Sequence, residues 1–231
     1  MTLWATRDES LQALDTTLRR EAQVLAECFA LLDDAITRLE SLKDETMFTR
    51  AAAVVLVKAR NLGLACYSLA LDGLGQEGGA VFRPLVEALE LLTYFRLDPQ
   101  RAALAVDGTL PRAGEIARAV EGTFRGIRDY LNTHASHFAF SWEALRHLID
   151  NETGELKKAQ QFREPVLRSN LAVLSAILVI LNVEGVNCIQ VHKIGSANDL
   201  ADRVEGTRDM ARDVFKSVIP VPTPRDPAAA V

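Results

Sequence analysis

The sequence predicts an all-α protein, a multi-helix bundle of about seven helices with long antiparallel core helices. Apolar residues recur at spacings of three and four over most of the chain, and no segment alternates apolar and polar residues as a strand does. With 48% hydrophobic and 25% charged residues, the 231-residue chain can also bury a substantial core. We expect a single helical domain over 1–219 and an extended, proline-rich tail over 220–231.

In the first half of the chain, three long helices are expected. The clearest apolar stripe covers 11–39 and predicts one continuous helix. A second helix is expected over 45–71, because the glycine-rich stretch 72–79 is typical of a helix end and a turn. Proline is tolerated in the first turn of a helix, so Pro84 predicts a third helix over 80–97.

In the second half, the boundaries follow from prolines, glycines and capping residues. Pro111 predicts the start of a long fifth helix that reaches His134. The apolar run 171–181 is shorter than the roughly 20 residues needed to cross a bilayer, so it predicts a buried central helix and no membrane contact. The remaining expected elements are short helices over 100–106 and 141–149, a polar connection over 151–161, and helices over 164–191 and from Ser196 or Asn198 to 218.

Composition restricts the classes of function. A net charge of -5 provides no general attraction to polyanions, so contact with RNA would need a local basic patch. The three cysteines, Cys28, Cys66 and Cys188, lie far apart within apolar patterns and predict buried thiols. The first nine residues lack the apolar core of a secretory signal, so a cytoplasmic location is expected. No cofactor is predicted, and the excess of arginine over lysine hints at a bacterial source.

The first polar stretch lies in the expected third helix. Arg83, Glu87, Glu90 and Tyr94 fall within about 60 degrees of one another on a helical wheel, whereas apolar residues cover most of the remainder. A buried pairing of Glu87 with Arg83 or with Arg60 is expected. It is either a structural ion pair that fixes helix register or part of a site. No Glu-x-x-His motif of a dimetal bundle occurs, so no metal site is predicted.

The second polar stretch lies in the expected fifth helix. On a continuous helix, five polar residues share one face: Arg118, Glu121, Arg125, Arg128 and Asn132. The opposite face is apolar and carries Ile116, Val120, Phe124, Ile127 and Leu131. The polar face is either simply solvated or a ridge that contacts phosphates.

A short motif overlaps this second stretch. Arg128 and Asp129 are followed by His134 after a gap of five residues, and the segment 82–90 forms a long apolar helix. In these features the chain resembles the HEPN superfamily of helical-bundle proteins, many of them toxin or antiphage ribonucleases. The resemblance implies metal-independent cleavage of RNA, a homodimer with the site between two protomers, and Arg128, His134 and His137 as catalytic residues. The expected binding residues are Arg83, Glu87, Arg118, Arg125 and Asn132.

Two alternatives to a ribonuclease remain open. On a regular helix His134 lies about 120 degrees from Arg128 and joins Ile127 and Leu131, which separates the motif unless the helix ends near Thr133. If the motif is separated in this way, the chain is a non-catalytic interaction or dimerisation module. The other alternative is a binder of a small anionic ligand. An enzyme predicts that the motif residues converge on one cleft, with Glu87 or Arg83 close enough to orient one of them.

Overall fold

A computed structural model shows the fold of residues 4–42, 46–122, 124–134, 148–149, 153–156, 161–192, 195 and 197–218. Within these residues the chain is all-α, as predicted, with one isolated antiparallel bridge between Ile149 and Leu156. The tail 220–231 and most of the expected helix 141–149 lie outside the described residues. The helices are α1 (Ala5–Asp15), α2 (Arg19–Glu40), α3 (Met47–Leu71), α4 (Gly75–Leu97), α5 (Ala102–Val106), α6 (Ala113–Ala119), α7 (Arg125–His134), α8 (Glu164–His192) and α9 (Asn198–Phe215).

The centre of the bundle is α8, which packs against α2, α3, α4 and α9. Its leucines Leu171, Leu178 and Leu181 are fully buried, because neighbouring helices cover the helix on several sides. At Gly63 the backbone of α3 comes so close that a Cβ atom would lie 3.2 Å from Leu178 Cδ2. The expected buried helix over 164–191 is therefore confirmed as the core of the fold.

Two helices, α3 and α8, are long and apolar enough to cross a membrane by length and composition. The most apolar window of α8 is 72% buried inside the bundle, and a buried core helix passes the same test. The corresponding window of α3 is only 39% buried, because Met47, Val54 and Val57 point away from the core. The absence of membrane contact stays a prediction.

The expected continuous helix over 11–39 is wrong, because the chain breaks between α1 and α2. The amide N–H groups of Thr16 and Leu18 both donate to Ala13 O, at 3.1 and 2.7 Å, instead of continuing the helical ladder. The Thr16 hydroxyl donates to Gln12 O at 2.7 Å. Such local bonds from threonine compete with regular helix, and the apolar spacing alone does not reveal them.

The start of α4 also differs from the prediction. Gly73, with a φ of 75°, ends α3, but helix resumes at Gly75, five residues before the expected start at Ala80. Pro84 consequently lies in the helix interior, where the carbonyl of Ala80 loses its usual N–H partner. The glycines become helical because this first turn packs on α8: a Cβ atom at Gly75 would lie 2.2 Å from Asn170 Nδ2. Tertiary packing here outweighs helix propensity.

The expected fifth helix is divided in two, which changes the second polar stretch. Glu121 and Gly122 have φ values of 60° and 62°, and the Gly122 N–H donates to Ala117 O at 3.0 Å, closing α6 with a left-handed cap. A new helix, α7, then begins at Arg125. Residues on either side of this break do not share one helical face. The prediction of a continuous ridge from Arg118 to Arg128 is therefore wrong.

Ion pairs between α2 and α9 connect the last helix to the bundle. Arg20 pairs with Asp213 at 2.8 Å, Arg38 forms a two-pronged pair with Asp199, and Arg203 reaches Glu27 at 3.1 Å and also pairs with Asp34. Most of these side chains are well exposed, so each pair stabilises the fold only slightly. Together they make the docking of α9 sensitive to pH and salt.

Acid is expected to weaken this connection. The hydrogen bond from Arg38 lowers the pKa of Asp199 to about 2. Because the folded-state pKa lies below the unfolded value of about 3.9, the pair stabilises the fold above pH 4, and this contribution disappears as pH falls from about 4 to 2. Asp199→Asn should therefore show a shallower loss of unfolding free energy over this range in urea titrations. Asp202→Asn, on the same helix, is the control; equal acid slopes for both variants would contradict the assignment.

Candidate functional site

Helix α7 rests on α4, and its buried side carries an arginine. Phe124, Arg128 and Leu131 follow one another at spacings of four and three, so they lie on the same side of the helix. Phe124 and Leu131 are buried, as predicted, whereas Ile127 is 37% exposed and does not belong to the buried face. Arg128 is therefore directed into the contact with α4, and 13% of its side chain stays exposed.

Arg128 forms a two-pronged ion pair with Glu90 of α4. Its Nη2 donates to Glu90 Oε2 at 2.6 Å and its Nε donates to Glu90 Oε1 at 3.2 Å. The side chain of Glu90 is only 2% exposed and that of Arg128 is 13% exposed. A carboxylate this deeply buried needs a cation and hydrogen bonds in place of the lost water. Arg128 supplies both.

A second pair on α4 borders the first. Arg83 Nε donates to Glu87 Oε1 at 3.2 Å, and the same carboxylate oxygen lies 3.6 Å from Arg128 Nη2. The predicted pairing of Arg83 with Glu87 is confirmed, but the pair is not buried as expected, because the two side chains are 34% and 31% exposed. Arg60 pairs instead with Asp33 at 2.5 Å. We call Arg83, Glu87, Glu90 and Arg128 the α4–α7 charge cluster. Its formal charges cancel, and it joins the two polar stretches of the sequence.

A cleft of about 260 Å³ opens beside this cluster, between α3, α4 and the segment that contains α6. Glu87 and Glu90 form part of its wall, and Lys58 of α3 contributes an exposed ammonium group. The other lining residues are mostly apolar: Val55, Pro84, Ala88, Leu91, Pro111, Ala113 and Ile116. The cleft thus combines apolar walls with a hydrogen-bond acceptor, Glu87, and a cation, Lys58.

Other candidate residues lie apart from the cluster. Arg118 is exposed and donates from Nε to Gly114 O at 3.2 Å, while Arg125 is 82% exposed and pairs with Asp129 at 3.4 Å. Tyr94 is buried, with the guanidinium of Arg101 placed 4.4 Å above its ring. His134 is the last residue of α7, but its side chain, that of Asn132, and His137 lie outside the described residues. Their roles stay predictions.

The cysteines do not contribute a nucleophile to this site. Cys28, Cys66 and Cys188 are buried free thiols, as predicted, and burial raises the pKa of each to about 12. A thiol is nucleophilic only after it loses its proton, so these groups are inert at neutral pH. Among the described residues, no group of three His, Cys, Asp or Glu side chains is placed to hold a metal ion.

Sequence reasoning missed the partner of Arg128 and the role of Lys58 in the cleft. The pairing of Arg128 with Glu90 spans 38 residues, and helical periodicity carries no information about contacts at that separation. The only available signal was that Glu90 follows Glu87 by three positions, on the same side of a helix that is otherwise apolar. For Lys58 the signal was weaker still, a single lysine three residues after the buried Val55.

Comparison with known proteins adds no family to this description. No protein-family model, curated protein or solved structure matches the chain. The α4–α7 charge cluster and the adjoining cleft are consequently the features that support a functional proposal.

Proposed function

We propose that this protein is an HEPN-like RNA-binding protein that acts as a metal-independent ribonuclease, with its site at the junction of α4 and α7. The observation that carries the proposal is the contact of Arg128 with Glu90 and Glu87, at 2.6 and 3.6 Å. A ribonuclease of this kind needs an arginine in a fixed position a few residues before a histidine. The carboxylates of α4 provide that fixed position for Arg128. Because α7 is helical from Arg125 to His134, these two positions, Arg128 and His134, lie about 120 degrees apart around the helix, so the proposal relies on the second protomer of the homodimer to bring a histidine to Arg128.

The geometry of the ion pair leaves part of Arg128 available for a phosphate. Glu90 engages Nε and Nη2 of the guanidinium, and Glu87 lies near Nη2. Nη1 makes no hydrogen bond with any group in the described part of the chain, and it carries two further N–H donors. A guanidinium held on one edge loses little freedom when its other edge binds an anion, so it is preorganised to stabilise charge on a phosphate.

The proposed chemistry uses the histidines for proton transfer. One histidine removes the proton from a ribose 2'-hydroxyl, whose oxygen then forms a bond to the adjacent phosphorus. The bond from phosphorus to the 5'-oxygen breaks, and that oxygen takes up a proton from the second histidine. The products are a 2',3'-cyclic phosphate and a 5'-hydroxyl end. His134 and His137 fit these roles because histidine's ordinary pKa of about 6.5 suits both acceptance and donation near neutrality.

The proposal includes two further parts. The first is a homodimer, since the resemblance implies a site completed between two protomers. The second is that RNA binds only in the region around α7, since a net charge of -5 does not attract RNA to the surface as a whole. Arg118 and Arg125, both exposed, are proposed to contribute cations to this region, with Arg125 paired to Asp129 at 3.4 Å. Binding should therefore weaken with added salt.

Incubation of the purified protein with mixed single-stranded RNA at neutral pH, with a chelator present, tests this function. Cleavage with cyclic phosphate ends is expected for the wild type. His134→Ala should reduce the rate about 100-fold or more, because proton transfer by a positioned side chain contributes on that order. Arg128→Ala should reduce it comparably through loss of charge stabilisation. The rates and end groups are read from labelled RNA on denaturing gels.

The matched control is Arg212→Ala, which removes a 72% exposed arginine from α9. Circular dichroism must show that each variant is folded at the assay temperature, since Arg128 is also part of the buried cluster. Cleavage that is absent in the wild type, or equal in all variants, would overturn the proposal and favour the non-catalytic interaction module.

A further inference from the structure

The cleft beside the α4–α7 charge cluster has the chemistry of a base-binding pocket. It offers three kinds of group within one space: apolar walls from α3, α4 and α6, the half-buried carboxylate of Glu87, and the exposed ammonium of Lys58. Its volume of about 260 Å³ lies just below the range of roughly 300–1,000 Å³ that is usual for ligand pockets. A single planar, polar-edged molecule with one anionic group suits such a space.

The carboxylate of Glu87 restricts the ligand to one that presents N–H donors. An ionised carboxylate only accepts hydrogen bonds, and it accepts two parallel donors best. Oε1 of Glu87 is occupied by Arg83, but each carboxylate oxygen has two acceptor positions, and Oε2 makes no hydrogen bond with the described residues. Among the common nucleobases, guanine has two neighbouring donors, N1–H and N2–H, on its Watson–Crick edge. Adenine and cytosine place an acceptor next to their amino group, and that acceptor would face the carboxylate unfavourably.

Lys58 supplies the complement to a phosphate. It forms no ion pair with the described residues, unlike Arg83 and Arg128, which are engaged by Glu87 and Glu90. The lining itself carries a formal charge of -1, from Lys58, Glu87 and Glu90. Arg83 and Arg128, which lie outside the lining, pair with the two glutamates and leave Lys58 as the unpaired charge of the group. A flexible, hydrated ammonium group at the rim of a pocket is suited to contact a phosphate as a point charge.

We propose that this cleft binds one unpaired guanine nucleotide, with its donor edge on Glu87, its ring against the apolar walls and its phosphate at Lys58. The inference rests on the proposed function for its setting in RNA, and it makes the ribonuclease selective for guanine next to the scissile phosphate. Single-stranded RNA offers unstacked bases whose Watson–Crick edges can be bound in this way. Free guanosine monophosphate has the same chemistry and is the second source of the ligand.

Titration calorimetry with guanosine and inosine monophosphates tests the pocket without measuring cleavage. Inosine monophosphate lacks only the 2-amino group and should bind about tenfold more weakly, as expected for one lost hydrogen bond to a charged acceptor. Glu87→Gln should abolish this difference. Lys58→Met should weaken the binding of guanosine monophosphate several-fold while leaving that of guanosine unchanged. Lys216→Met, just after the end of α9, should change neither. Lys58 is exposed, so its variant tests the pocket even if Glu87→Gln fails to fold.

The affinity for a guanine-containing RNA tetranucleotide, compared with that for an adenine tetranucleotide, distinguishes RNA from the free nucleotide as the source of the ligand. Tighter binding of the guanine oligonucleotide than of the free nucleotide supports the RNA setting, and equal binding supports the free nucleotide as the ligand. Equal affinity for the two monophosphates in the wild type, or binding of neither at millimolar concentration, would overturn the pocket. Guanine binding without RNA cleavage would contradict the ribonuclease activity but not the guanine-binding cleft. Cleavage that depends on Arg128 but shows no preference for guanine would contradict the guanine-binding cleft but not the ribonuclease activity.

Discussion

Replacement of Arg128 by methionine is expected to lower the free energy of unfolding by about 3–5 kcal/mol, the usual cost of leaving a buried charge without its partner. Glu90 would lose both guanidinium contacts, at 2.6 and 3.2 Å, while its side chain stays 2% exposed. No other cation in the described part of the chain forms an ion pair with Glu90. Urea unfolding followed by circular dichroism measures the change.

Glu90→Gln provides the matched comparison, and its cost should be smaller, about 1–3 kcal/mol. In that variant Arg128 keeps a carboxylate partner, because Glu87 Oε1 lies 3.6 Å from its Nη2, and the amide can still accept one hydrogen bond. The order of the two effects therefore reports the asymmetry of the cluster. Equal losses of unfolding free energy, or a larger loss for Glu90→Gln, would show that Glu90 is not left as an unpaired buried charge when Arg128 is removed.

Leu178→Ala in the middle of α8 should cost about 2–5 kcal/mol, the range found when a fully buried leucine is truncated. Leu178 is 0% exposed, and its Cδ2 would lie 3.2 Å from a Cβ atom at Gly63 of α3. Because close neighbours on several helices limit collapse around the missing atoms, the upper part of this range is expected. Thermal and urea unfolding of the variant provide the measurement.

Val173→Ala is the control on the same helix. Val173 is 43% exposed, so its truncation removes little buried area and should change stability by less than about 0.5 kcal/mol. A comparable loss for both variants would mean that α8 is not surrounded as the fold has it. The pair of variants thus checks the placement of the central helix directly.

The sequence predicted most helices because their apolar faces are long and regular. The stripes that became α3 and α8 each repeat over many turns, so periodicity located both helices to within two residues, and it also located the end of α2. It failed at the breaks. The turn between α1 and α2, and the left-handed pair Glu121 and Gly122 between α6 and α7, interrupt segments whose apolar spacing continues through the break.

The candidate site was predicted only in part, because helical periodicity specifies contacts within one helix and not contacts between helices. The pairing of Arg83 with Glu87 is local, four residues apart on one helix, and followed from the wheel. The contact of Arg128 with Glu90 depends on how α7 docks on α4, and no pattern within either helix specifies that docking. Lys58 acquires its place in the cleft in the same way, through packing of α3 beside α4. The sequence thus predicted the ion pair within one helix but not the pair between two helices.

The most direct test of the account is a double-mutant cycle between Arg128 and Glu90, with Arg128→Met, Glu90→Gln and the double variant unfolded in urea. If α7 is held on α4 by this pair, the double variant should cost much less than the sum of the single variants, with a coupling energy of about 2 kcal/mol or more. Additive costs, with a coupling energy below about 0.5 kcal/mol, would show that the two side chains do not interact, and would remove the basis for placing the site between α4 and α7.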